Sequence, residues 1–293
     1  MDLAAAFAAC RTEADFYRVQ IEAETLLAPA EIAAQAPEML ADPARGWLER
    51  LHGSLRRIGP SAAPFRRRAL ADAVTLFEGP STPGVARTLV VAFAGIAQRM
   101  NIPTAVFLQA LPAERCDVVM LRDPARAAFL TGVPGYAADL RALAVRLAED
   151  VPLAAYADGM RCIGTSAGGA AALCFGLLAG ARRAVSVDGA HPAALRLRFA
   201  EGADRGALDA AIAGVEPRGT ALLSAYGAFH PQDGLRARLL ALGLPGARSV
   251  GIAVQGGHGL LAPLLAAGAL PRFLSEFLLA DTPPEAMPDP WQA

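Results

Sequence analysis

Lysine does not occur in this chain: all 27 basic residues are arginine. That absence excludes a lysine nucleophile and Schiff-base chemistry. Net charge is small as well, −1, because 28 acidic residues offset the arginines. No basic footprint for nucleic acid results. Cysteine is sparse, at positions 10, 116, 162 and 174, and no C-x-x-C pair occurs. Zinc and redox motifs therefore lack support, no metal or cofactor is expected, and buried free thiols are. The start of the chain has acidic Asp2 and no basic run, so it does not read as a signal peptide, and a cytoplasmic location is expected. One uncharged run, 162–181, has the length of a membrane span. The glycines inside it and the strand pattern around it argue for a buried helix instead.

What is present is ample apolar material. Hydrophobic residues make up 54% and charged residues 19% of 293 residues, enough for one large α/β domain or a domain with an appendage.

The most informative run is Gly164-Thr165-Ser166-Ala167-Gly168-Gly169. An apolar stretch, 160–163, precedes it and a helix-like stretch, 170–178, follows. Strand, tight turn and helix put the serine at an apex, where a strained backbone needs small residues on both sides. The first amides of the helix then point the same way as the serine oxygen.

Residues 1–57 read as helical, with Phe7, Phe16, Ile21, Leu26 and Leu27 as a buried stripe and Pro29, Pro37 and Pro43 as breaks. Residues 59–68 read as a Pro/Arg-rich connector. From 71 onward strands alternate with helices. Strands are expected at 73–77, 88–93, 117–121, 160–163, 184–187, 221–226 and 249–254. Helices are expected at 103–111, 136–147, 170–178, 235–242 and 260–278, the last broken at Pro271. The expected organisation is an N-terminal helical extension (1–70), a main domain (71–280) and a Pro-rich tail (281–293), with a small helical lid at about 189–218. Alternation of this kind implies a mostly parallel sheet covered on both faces, with its chemistry at the carboxyl ends of the strands.

A serine hydroxyl needs a base. His258, in the run Gln255-Gly256-Gly257-His258-Gly259 after the last strand, has the position and room for it. His191 and His230 also follow strands; His52 lies among the N-terminal helices and reads as a surface histidine. The acid should follow the strand 221–226, where Asp233 is the available carboxylate. Asp233 equally suits a helix cap, and Asp188, one strand earlier, is the alternative. The oxyanion donors should be the N–H groups of Ala167 and of Gly95 or Ile96, in the turn after 88–93. Asp123 reads as a loop anchor, and Arg122 and Arg126 as solvated.

Taken together, these residues resemble the α/β-hydrolase superfamily over about 71–279. The resemblance implies an eight-stranded, mostly parallel sheet with a lid after the sixth strand. It implies a triad of Ser166, His258 and Asp233, and cleavage of a small-molecule ester or thioester through an acyl-serine. One departure stands out. Where many members carry the acid, three residues after the glycine ending the seventh strand, this chain has His230, and Asp233 lies three residues further on. A non-catalytic binding or scaffolding role, an acyltransferase, and a haloperoxidase or C–C bond hydrolase are alternatives on the same fold.

Overall fold

The structure, a computed structural model, describes residues 1–194, 204–216 and 219–282. Four helices come first: α1 (Leu3–Ala8), α2 (Glu13–Leu26), α3 (Pro29–Ala33) and α4 (Ala44–Ile58). The sheet follows as β1 (Arg66–Ala71), β2 (Val74–Glu78), β3 (Thr88–Phe93), α5 (Thr104–Gln109), β4 (Cys116–Leu121), α6 (Leu140–Asp150) and β5 (Met160–Thr165). Then come α7 (Gly169–Leu178), β6 (Arg183–Val187), α8 (Ala207–Ile212), β7 (Ala221–Gly227), α9 (Pro231–Leu242) and β8 (Arg248–Ile252). The chain ends in α10 (Leu261–Ala266) and α11 (Leu270–Phe273), which runs on into a π-helical turn, Leu274–Leu279.

The eight strands form one sheet in the order β1-β2-β4-β3-β5-β6-β7-β8. Strand β2 is antiparallel to both of its neighbours, and β4 through β8 are parallel. Side chains alternate between the two faces, as strand geometry requires. Val90 and Ala92 of β3 join one apolar cluster; Leu89, Val91 and Phe93 join the other. The second cluster includes Leu143 of α6, Leu173 of α7, Leu208 of α8 and Leu240 of α9.

The N-terminal helices share the first cluster. Leu27, Ile32, Trp47, Leu48, Leu51 and Leu55 pack with Val90, Val118 and Met120 of the sheet. Helix α4 buries one face at helical spacing, and each such side chain contributes about 1.5–3 kcal/mol. A capping box starts α2: Thr12 Oγ1 accepts the Asp15 N–H and Asp15 Oδ2 accepts the Thr12 N–H, both at 3.1 Å.

Several expectations need correction. Strand β1 begins at Arg66, inside the segment read as a connector. Arg66, Arg67 and Arg68 do not alternate with apolar residues, so the sequence hid the strand. Its backbone pairs with β2, and charged side chains at a sheet edge deter further pairing. Helix α6 starts at Leu140 rather than near Tyr136, because Asp139 caps it (Ala142 N–H to Asp139 Oδ1, 2.8 Å). The final helical segment breaks at Gly268 (φ +70°), not at Pro271, which sits in the first turn of α11 where its missing N–H costs nothing. Helix α9 starts at Pro231, four residues earlier than expected, and so contains Asp233.

Of the expected lid, the described parts are a short turn at Pro192–Ala194 and α8, which packs on α7. The rest, 195–203 and 217–218, lies outside the described residues, as does the tail from 283. Within the uncharged run, α7 is short and buried on all sides. Among the described residues no helix is long and apolar enough to cross a membrane.

Candidate active site

The serine turn is built by steric necessity. Ser166 has φ +51°, a left-handed conformation that costs a non-glycine residue about 1–2 kcal/mol. A Cβ on Gly164 would lie 2.2 Å from the Gly168 carbonyl oxygen. One on Gly168 would lie 2.6 Å from the carbonyl oxygens of Phe93 and Ala94. The glycines two residues either side of the serine thus let β5, α7 and the end of β3 converge.

Ser166 Oγ lies 3.2 Å from His258 Nε2. On the other side of the ring, His258 Nδ1 lies 3.0 Å and 2.9 Å from the two carboxylate oxygens of Asp233. The turn after β5, the first turn of α9 and the loop after β8 thereby bring together residues far apart in sequence. Asp233 is fully buried, in the first turn of α9. His230 caps that helix: its Nδ1 accepts the Asp233 N–H at 3.3 Å and lies 2.9 Å from Asp233 Oδ2. Arg236 Nη1 reaches Asp233 Oδ1 at 3.3 Å. Because α9 starts at Pro231, Asp233 lies in its first turn, within hydrogen-bond distance of His258 Nδ1.

Charge follows from these contacts. Burial pushes the Asp233 carboxyl up, but the His258 hydrogen bond and the charges of His258, His230 and Arg236 outweigh it and hold the group below the usual range. His258 is raised, chiefly by its hydrogen bond to Asp233, with desolvation opposing and the charges of Asp233 and Asp188 adding. Imidazole Nε2 then faces the serine as acceptor while Nδ1–H faces the carboxylate.

Asp188, the alternative acid, holds backbone rather than the ring. Its carboxylate accepts the Leu260 N–H, two residues beyond His258, and the Gly227 N–H at 3.4 Å. It is 2% exposed, carries φ +50°, and burial raises its carboxyl. It thus ties the ends of β6 and β7 to the histidine loop.

The turn after β3 corrects one expectation. The Gly95 N–H donates to the Arg99 carbonyl at 2.9 Å and so is occupied. The Gly95 carbonyl accepts the Gln98 N–H at 2.9 Å. In a trans peptide N–H and C=O point oppositely, so the Ile96 N–H is directed out of the turn. It has no acceptor among the described residues. Gly95 serves close approach: a Cβ there would lie 3.2 Å from Thr165 Oγ1. The Ala167 N–H, in the first turn after the serine, is at a position with no intrahelical acceptor.

Two supports were not read from the sequence. Gln98 Nε2 donates to the Ile96 carbonyl (3.3 Å) and to the Asp123 carbonyl (2.7 Å). Arg99 is ion-paired with Glu24 of α2, which also accepts the Trp47 Nε1–H at 2.8 Å. Nothing in local pattern marks Glu24; a histidine three residues before an acid at a helix start could have flagged the pairing of His230 with Asp233. The remaining histidines lie elsewhere. His52 Nε2 is 2.9 Å from the Ile32 carbonyl, and His191 Nε2 is 3.1 Å from Asp209 Oδ1. Asp123 anchors a loop, accepting the Phe129 N–H at 3.1 Å. Among the described residues no group of His, Cys, Asp and Glu is placed to hold a metal ion.

Strand order, direction and the turns after β3, β5, β7 and β8 define the α/β-hydrolase fold, and this chain has it. Among solved structures it is similar to 2,6-dihydroxy-pseudo-oxynicotine hydrolase, at 13% identity and TM-score 0.53 over 84% of this chain and 78% of that one. It is also similar to the fluorophosphonate-binding serine hydrolase F of Staphylococcus aureus, at 15% identity and TM-score 0.46 over 72% and 96%. A further similar structure is esterase Est22, at 13% identity and TM-score 0.46 over 82% and 90%. No protein-family model and no curated protein sequence matches the chain.

Proposed function

We propose that this protein is a serine hydrolase that cleaves a carboxylic ester or thioester of a small molecule. The observation that carries the reading is the unbroken contact from strained Ser166 (Oγ to His258 Nε2, 3.2 Å) through His258 to buried Asp233.

His258 Nε2 takes the Ser166 proton as Oγ attacks the acyl carbon. Negative charge on the former carbonyl oxygen is held by the N–H groups of Ala167 and Ile96. As the tetrahedral adduct collapses, His258 gives its proton to the departing alcohol or thiol. Water, deprotonated by His258, then attacks the acyl-serine, and the carboxylic acid leaves as Oγ recovers the proton. Asp233 keeps Nδ1 protonated and stabilises the imidazolium throughout. A cytoplasmic location accords with four cysteines that form no disulfide.

A fluorophosphonate probe tests this directly. It should label the protein at Ser166, and Ser166→Ala should abolish both labelling and ester cleavage. A folded protein that takes no label and cleaves no p-nitrophenyl ester of any chain length would overturn the reading in favour of a binding role.

A further inference from the structure

Asp233 serves more groups than His258. Its Oδ2 lies 2.9 Å from His258 Nδ1 and 2.9 Å from His230 Nδ1. Its Oδ1 lies 3.0 Å from His258 Nδ1 and 3.3 Å from Arg236 Nη1. The two histidine rings stand 6.3 Å apart, centroid to centroid, and are tilted by 52°. One fully buried carboxylate thus lies between two imidazoles, one from the loop after β8 and one from the cap of α9. His230 occupies the position, three residues after Gly227, where the family resemblance would put the acid itself.

His230 Nδ1 faces two partners of opposite kind. The Asp233 N–H, 3.3 Å away, needs an acceptor, whereas Asp233 Oδ2, 2.9 Å away, only accepts. A ring nitrogen carries either a lone pair or a proton, so it serves one of them at a time. A bare Nδ1 caps α9, but its lone pair then meets a carboxylate oxygen within hydrogen-bond distance. Two acceptors would be in contact where Asp233 is shut off from water. A protonated Nδ1 donates to Oδ2 across the shorter contact. The N–H it gives up is one of the donors that every helix start leaves without an intrahelical partner. The other charged groups around this pair are Arg236 on α9, His258 in the loop after β8 and Asp188 at the end of β6. Asp188 turns its carboxylate to the backbone N–H groups of Gly227 and Leu260, so Asp233 is the carboxylate that His230 meets.

We propose that His230 is a fourth member of the site, a positioning residue that donates its Nδ1–H to Asp233 Oδ2 and shares the acid with His258. The inference rests on the serine-hydrolase reading. His230 acts through Asp233 rather than on the substrate. It holds the carboxylate by Oδ2, so the acid keeps its orientation while His258 moves a proton between serine and leaving group. It also takes up part of the carboxylate's negative charge, which leaves His258 less basic than an unshared acid would make it. A less basic His258 stays neutral, and able to accept the serine proton, to lower pH.

The test compares His230→Asn with His230→Ala. Asparagine is a preferred N-cap and keeps an acceptor for the Asp233 N–H, so α9 stays capped while the imidazole donor is gone. Alanine loses cap and donor together. Long-range proton–nitrogen NMR spectra follow the ring nitrogens of each histidine and need no substrate. In the wild type at about pH 8, His230 Nδ1 should carry a proton. In both variants the titration midpoint of His258 should rise by about 0.5–1 pH unit, with thermal unfolding of His230→Asn unchanged as the control. The acid limb of kcat/KM for a p-nitrophenyl ester should move up with it. A bare His230 Nδ1 in the wild type overturns the proposal. So does a His258 midpoint that His230→Asn leaves in place, whether or not His230→Ala moves it, because the cap would then be the whole role of His230. If no ester is cleaved and no fluorophosphonate label taken, the hydrolase reading fails by itself, and the spectra alone decide whether His230 shares the acid.

Discussion

Glu24, on the second helix of the chain, is ion-paired with Arg99, in the turn that presents the Ile96 amide. The Arg99 carbonyl accepts the Gly95 N–H, so the pair connects the N-terminal helices to the shape of that turn. Glu24 is 7% exposed and also holds Trp47 of α4. The link runs from the N-terminal helices to the turn whose Ile96 N–H is the proposed oxyanion donor.

Glu24→Gln keeps the acceptor for Trp47 and removes the charge that holds Arg99. Loss of one oxyanion donor costs about 10²–10³ in kcat, and a donor merely loosened should cost about tenfold. Steady-state kinetics should show that fall in kcat with KM unchanged. A raised KM at constant kcat would mean that Glu24 shapes a binding wall instead.

The two carboxylates near His258 should separate by pH profile. In the proposed mechanism His258 must be neutral to act as a base, and its pKa is raised above the ordinary value of about 6.5, chiefly by the Asp233 hydrogen bond. Activity should therefore fall as pH drops through a midpoint above that value. Asp233→Asn removes the main raising contact, so the acid limb should move to lower pH while kcat drops about 10³–10⁴-fold. Asp188→Asn removes a charge that also raises His258 and one grip on Leu260. It should move the limb the same way by less and cost about tenfold in kcat, the size of a positioning effect. A loss in Asp188→Asn as large as in Asp233→Asn would make Asp188 the acid.

Backbone strain at Ser166 predicts a trade of stability against activity. Ser166→Ala keeps a Cβ at φ +51°, whereas Ser166→Gly relieves it. Both should be inactive, and the glycine variant should be the more stable by about 1 kcal/mol in urea unfolding, net of its greater unfolded-state entropy. Equal stabilities would show that the turn stores no strain. Gly164→Ala should act oppositely and destabilise by about 3 kcal/mol, because its Cβ would meet backbone rather than a movable side chain.

The thiols should differ sharply in reactivity. Burial pushes the Cys116 and Cys174 thiols up to about 12 and raises Cys162 further. Cys10 is only half-buried. Iodoacetamide at pH 8 should alkylate Cys10 alone in the native protein and every cysteine after denaturation. Modification of Cys162 without unfolding would contradict the packing of β5.

Local chemistry was legible where it is local. The run from Gly164 to Gly169 demands a tight turn whatever surrounds it, and apolar runs separated by helical periods imply a parallel sheet. Loops after successive strands then offered His258, Asp233 and the turn at Gly95 and Ile96. Strand β1 was not legible, since three arginines carry no alternation and its pairing with β2 is what makes it a strand. Nor could the sequence choose between Gly95 and Ile96, because the choice depends on which N–H the Arg99 carbonyl occupies.

By itself, then, the sequence determined a strand-serine-helix elbow and the alternation that lays strand ends side by side, because both follow from sterics and periodicity within a few residues. Tertiary structure alone decided which carboxylate meets His258, which amide is left free and where the N-terminal helices lie. Those outcomes turn on competition among partners distant in sequence. An early start to α9 brings Asp233 under the imidazole while Asp188 grips backbone. A buried glutamate on α2 finds its arginine only once helix and sheet have packed.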